Sequence, residues 1–208
     1  MEESTFKYKN IEITWLKHAG FRIKDSVVIY IDPYGVTKEL EKADIILVTH
    51  DHFDHMDMKS IRNLSKSDTV IVHPKGCIIE GYQTCDVMEE DKVTVKGVEI
   101  QTVPAYNVDK PFHKAGCVGY IINIDGVKIY HAGDTDRIPE MKNIEVDIAL
   151  LPIGGTYTMD VKEAIEAAKD IKAKYYIPMH YGAIPNTEAD PNEFKAGVEN
   201  AVILKPLL

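Results

Sequence analysis

The chain has little from which to build a disulfide framework. Its three cysteines, Cys77, Cys85 and Cys117, are odd in number and lack CxxC spacing, which reads as small buried side chains rather than bridges. Long hydrophobic runs are also missing. None approaches the ~20 apolar residues of a spanning helix, so no membrane association is expected. The start, Met1-Glu2-Glu3-Ser4, is acidic and polar without a basic-then-apolar leader, which points to the cytoplasm. No Ser/Pro/Gly-rich linker, long charge run or internal repeat divides the sequence. Residues 1–208 are therefore expected to form a single domain, long enough for a substantial core. Excess positive charge is lacking as well. Against 33 Asp and Glu stand 24 Lys and Arg, a net charge of −9, which disfavours nucleic acid held by bulk charge without excluding a local basic patch. With 45% hydrophobic and 27% charged residues the composition is that of a globular protein and excludes disorder. Oligomeric state leaves no sequence signal, so a homo-oligomer stays open.

What the chain does have is histidine. There are eight, and three fall within the six residues His50-Asp51-His52-Phe53-Asp54-His55. The surrounding pattern places them. Ile11 to Leu16 and Phe21 to Ile23 alternate apolar and polar as half-buried strands do. Val27 to Ile31 and Ala43 to Val48 are continuous apolar runs, expected as strands buried on both faces. They end at Asp32-Pro33 and Thr49-His50. A short helix is expected over about 57–64, followed by a strand over Thr69–Val72. Lys96-Gly97 and Asp125-Gly126 each separate two β-like runs, a hairpin signal. Further strands are expected at Val146–Leu151 and Tyr175–Pro178. A helix over Val161–Asp170 is announced by Asp160 as N-cap with Glu163 three residues on, and a last helix by Asn192–Asn200. The residues alone thus give an α/β or α+β protein with two sheets.

The histidine run follows a buried strand, where such proteins expose side chains to a cleft. In an extended segment His50, His52 and Asp54 share a face and His55 points elsewhere, free to serve a second ion. Three imidazoles with carboxylates suit a divalent transition metal; the alternative is a solvated polar turn. Several other residues carry two readings each. Asp32 accepts a ligand histidine's ring N–H or caps a turn. His131, alternating along its strand before Gly133-Asp134, lines the pocket as a proton donor or is a satisfied buried histidine. His18 shares that doubt. Lys75, Tyr106, Arg137 and Tyr157 are weaker candidates for substrate contact.

The run resembles the HxHxDH signature of the metallo-β-lactamase superfamily. Tyr130-His131-Ala132-Gly133-Asp134-Thr135 resembles the family's strand ending in Gly-Asp, and Pro178-Met179-His180-Tyr181-Gly182 resembles its late histidine segment. Trp15-Leu16-Lys17-His18 and Leu151-Pro152-Ile153-Gly154-Gly155 look more like the compact branch near the ascorbate-6-phosphate lactonases. The resemblance implies an α+β fold, a four-layer αββα sandwich. It implies two metal sites: His50, His52, a third ligand and Asp134 in the first, and Asp54, His55, His180 and the same Asp134 in the second. The usual third histidine of the first site is absent from Val103-Pro104-Ala105-Tyr106-Asn107, leaving His113, the amide oxygen of Asn107, or water alone. Two divalent ions, zinc by ligand type with manganese, iron or nickel also fitting, would ionise a bridging water near neutral pH. Asp54 and Asp134 leave such a centre positive, which favours a small anionic substrate such as a phosphoester or lactone. The rivals are a nuclease or RNA-processing enzyme on the same fold, a redox diiron protein, and a metal-binding module without catalysis.

Overall fold

The computed structural model describes residues 3–114 and 116–208. Strands β1 (Thr5–Tyr8), β2 (Ile11–Lys17), β3 (Gly20–Lys24), β4 (Val28–Ile31), β5 (Ile45–Leu47), β6 (Val70–Pro74) and β7 (Gln83–Val87) form one sheet in that order. The first four are antiparallel and β4 to β7 run parallel. The second sheet repeats this plan. From its edge, β8 (Lys92–Val95), β9 (Val98–Pro104), β10 (Val118–Ile124) and β11 (Val127–His131) are antiparallel, and β12 (Ile148–Pro152) and β13 (Tyr175–Met179) continue in parallel.

Side-chain alternation stacks the layers. In the first sheet Ile13, Trp15, Ile29, Ile31, Ile45 and Leu47 face inward, onto a core shared with Val118, Tyr120, Ile122 and Ile129 of the second. The intervening Leu16, Tyr30 and Ile46 face outward, beneath Ile61 and Leu64 of α1 (Met58–Leu64). α2 (Val161–Asp170) buries Val161, Ala164, Ala167 and Ala168, and α3 (Pro191–Gly197) buries Phe194. Two sheets between helices make the αββα sandwich expected of the resemblance. Among the described residues no helix is long and apolar enough to cross a membrane.

Aspartates start α1, α2 and α3 as N-caps. Asp57 accepts from Lys59 N, Asp160 from Glu163 N and Asp190 from Asn192 N, each satisfying an amide with no intrahelical partner. The structure corrects the sequence reading at two strands and one helix. β1 and β7 were not expected; both are sheet edges, and β7 is mostly exposed with a polar sequence. The last helix spans Pro191–Gly197, shorter than expected, because Val198 has already left helical geometry.

Candidate metal centre

The parallel strands aim the site. Asp32 follows β4, the run His50 to His55 follows β5, Asp134 follows β11 and His180 follows β13. All lie just beyond strand C-terminal ends, where side chains of α/β sheets converge. His18 stands in the tight turn between β2 and β3. Asp32, His18 and His180 adopt positive φ of 43°, 53° and 57°, a conformation that costs a non-glycine residue energy and is kept where the surroundings hold it.

Donors gather in overlapping groups. His50, His52 and His113 bring ring nitrogens within 4.8 Å of one another, the Asp54 carboxylate and ring nitrogens of His18, His55 and His180 form a second such group, and His50, His55 and Asp134 form a third that joins them. In the first group His50 Nε2 lies 3.0 Å from His52 Nδ1. Asp134 sits between the groups. Its Oδ2 is 3.3 Å from His113 Nε2, 3.3 Å from His55 Nε2 and 2.9 Å from His180 Nε2. These approaches lack the directionality of hydrogen bonds. Nε2 of His55, His113 and His180 and Oδ1 of Asp134 are buried without a hydrogen-bond partner. Four orphaned polar atoms in one place would be costly. A shared ion removes the cost, and donors about 2.1 Å from one tetrahedral ion stand about 3.4 Å apart. The residues present therefore fit a metal.

Their other ends are held. Asp32 accepts Thr49 N–H at 2.8 Å, Thr49 Oγ1–H at 2.6 Å and His55 Nδ1–H at 2.7 Å, which leaves His55 Nε2 facing inward. Asn107 Oδ1 accepts both the backbone N–H of His113 at 2.8 Å and its ring Nδ1–H at 3.1 Å, while its amide donates to Asp136 and the Tyr157 carbonyl. Asn107 is thus fully engaged as the holder of His113, not as a ligand beside it. His18 Nε2 donates to Asp54 Oδ2 at 2.9 Å, its ring lies 3.9 Å from that of His180, and its carbonyl accepts His180 N–H at 3.0 Å. One residue thereby fixes two members of the second group, a role the sequence left undecided for lack of any spacing signal.

The electrostatics are those of a centre that attracts cations. Burial opposes charge on His55, but the Asp134 and Asp32 carboxylates raise it well above the ordinary imidazole value. Burial, with the neighbouring His55, pushes His50 well below that value. Burial would raise Asp134, yet His180 and His55 hold it well below the usual carboxylate range. Asp54 is held down to about 2, burial being outweighed by the His18 hydrogen bond and by His55.

One sequence reading is corrected, and the four weaker substrate-contact candidates find their places. His131 offers no proton to the site. Its Nε2 donates to the Ala19 carbonyl at 2.8 Å and its Nδ1 accepts Gly133 N–H at 3.1 Å, in a side chain without solvent exposure. It braces the turn that delivers Asp134. Arg137 faces α2, paired with Asp170 at 2.6 Å. Tyr106 reaches Glu140, and Tyr157 stacks edge-on against Phe112. Lys75 is an exposed residue bridged to Cys77 beyond β6. The site is open at His52, which is exposed, whereas His50, Asp54, His55, His113, Asp134 and His180 are buried.

Known proteins carry the same arrangement of chain. A model of the beta-lactamase superfamily domain matches residues 12–180. A UPF0173 metal-dependent hydrolase of Pyrococcus furiosus is 38% identical over 218 residues, covering 94% of this chain and 97% of its own. A crystal structure from Parabacteroides distasonis, described as a candidate metal-dependent hydrolase, superposes with TM-score 0.85 at 33% identity, covering 97% of both chains. Igni18, a metallo hydrolase of Ignicoccus hospitalis, gives TM-score 0.80 at 29% identity over 94% of this chain and 95% of its own. The chain belongs to the β-lactamase superfamily and is one of its metal-dependent hydrolases.

Proposed function

We propose that the protein is a dinuclear hydrolase of a small anionic substrate, a phosphoester, lactone or related acyl compound. His50, His52 and His113 would hold one ion, and Asp54, His55 and His180 the other, with Asp134 shared. The position of Asp134 Oδ2, within 3.3 Å of Nε2 atoms from both groups, carries this reading. A metal pair bound there supplies a water ionised near neutral pH and a Lewis-acid pull on the substrate oxygen. Imidazole and carboxylate donors suit zinc, with manganese, iron and nickel also compatible.

The protein's own residues keep that machinery in register. Asp32 and Asn107 orient His55 and His113 through their Nδ1 atoms, which fixes the ring tautomers that present Nε2 inward. His18 fixes the Asp54 carboxylate. The exposed His52 marks the side from which substrate arrives. Asp54, Asp134 and the ionised water would supply three negative charges against four on two dications, so the donor shell stays favourable to an anionic group. The net charge of −9 supports a small molecule over nucleic acid.

Metal analysis of protein purified without a chelating tag tests this directly, together with a panel of esters, lactones and phosphoesters. Two ions per chain are expected, falling to one or fewer in Asp134→Ala with hydrolysis lost. Unchanged metal content and rate in that variant would overturn the dinuclear reading.

A further inference from the structure

Exposed large hydrophobic side chains are few among the described residues, and they are not scattered. Phe53 is 70% exposed, Val108 58% and Phe112 41%, with Ile78 and Met88 elsewhere. Phe53 stands between His52 and Asp54, Phe112 adjoins His113, and Val108 adjoins Asn107. Three of five thus sit on the loops that carry the metal donors or their holder.

These side chains are presented by ordered backbone. His52 O accepts from His55 N and Met56 N, closing a turn around Phe53, and Val108 N donates to Asp136 Oδ2 at 2.9 Å. The Phe53 ring meets Tyr34 edge-on at 6.1 Å, and Tyr34 meets His18 at 6.0 Å. Phe112 meets Tyr157 edge-on at 4.9 Å, and the Tyr157 carbonyl accepts from Asn107. Aromatic pairs therefore adjoin both donor groups. Lys110, the cation between Val108 and Phe112, is committed to Asp136 and the Thr158 carbonyl. Lys17 Nζ lies 5.1 Å over the Tyr34 ring, so the rim sets apolar area beside cationic charge, which suits an apolar arm on an anionic head.

We propose that the substrate is amphiphilic: its scissile group is attached to an alkyl or aryl arm that lies against Phe53, Val108 and Phe112. This rests on the hydrolase reading and narrows its substrate class. Continuity of the apolar side chains with the donor loops favours a substrate arm over a second copy of the chain as occupant.

Alkylphosphonates test the arm without requiring turnover. Titration calorimetry on the metal-loaded protein compares methyl-, butyl- and octylphosphonate. Octylphosphonate is expected to bind at least ~10-fold tighter than methylphosphonate, from apolar surface removed from water. In the double variant Phe53→Ser, Phe112→Ser the ratio is expected to fall to about twofold or less, with both ions still bound. Equal binding of short and long chains, no phosphonate binding, or a ratio that survives the double change overturns the proposal. A dimer that becomes a monomer in that variant, without chain-length dependence, assigns the patch to self-association and overturns it too. Hydrolysis of p-nitrophenyl acetate and octanoate is measured separately. If no ester, lactone or phosphoester is turned over while the phosphonate ratio holds, the hydrolase reading fails and the apolar arm stands.

Discussion

His18 shows how much one side chain can organise. Its ring donates to Asp54 and lies against His180, while its carbonyl accepts the His180 amide. His18→Leu removes the donor and leaves a buried carboxylate oxygen unpaired, a loss of about 1–3 kcal/mol. The expected result is one retained ion instead of two, read by metal analysis, while His18→Gln, which keeps an N–H at the end of the side chain, restores the second. Two ions in His18→Leu with only a lowered melting temperature would reduce His18 to a packing residue. That these histidines and aspartates gather in one place was legible, because HxHxDH, Gly-Asp and the late histidine carry recognisable spacing. His113 was legible as the nearest histidine beyond the place the family pattern leaves empty. His18, Asp32 and His131 were not resolved by the same reading. All three lie at strand ends or turns, and which way each ring or carboxylate points is set by backbone torsions such as the φ of 53° at His18, which spacing does not encode.

The strands were legible where burial is two-sided. Val28–Ile31, Ile45–Leu47 and Ile148–Pro152 are entirely buried, and their apolar runs announce it. Edge strands β1 and β7 were not, since an exposed polar segment such as Gln83–Val87 gains its form from pairing with a neighbour and not from its own pattern. Just beyond β12 and β13 two backbone segments approach closely. A Cβ at Gly154 would stand 2.1 Å from the His180 carbonyl oxygen, so backbone must move. Gly154→Ala is expected to destabilise the fold by about 2–4 kcal/mol and to displace His180, lowering affinity for the second ion in a metal titration. A variant with wild-type denaturation and metal binding would show that this loop yields freely.

The two sheets are also tied away from the metal centre. Asp147, preceding β12, accepts from Tyr8 of the first sheet at 3.1 Å, from Lys128 N at 2.9 Å and from Lys174 Nζ at 2.7 Å. Burial would raise its carboxyl, but the Lys174 and Lys128 hydrogen bonds hold it below the ordinary value. A depressed folded value contributes stability above the unfolded carboxyl's ~3.9, lost as pH falls through the folded value. Asp147→Asn should therefore cost about 1 kcal/mol at pH 7, the exposed lysine being screened by solvent. The gap from the parent should close on acidification below about pH 4 in urea denaturation. A gap that does not change with pH would place the effect in packing, not charge.

The His18–His180 backbone bond spans 162 positions of sequence, and the remaining donors come from residues 50 to 134. Contacts so distant along the chain form late, because closing long loops costs entropy before any contact rewards it. His50 and His52 are neighbours and can meet an ion early, but the second group is complete only once β13 has docked. During synthesis, the growing polypeptide can therefore hold an ion only loosely at the first group. On the proposed two-ion reading, full occupancy would report that the last strand is in place, which would make metal content a measure of folding fidelity as well as of catalytic readiness.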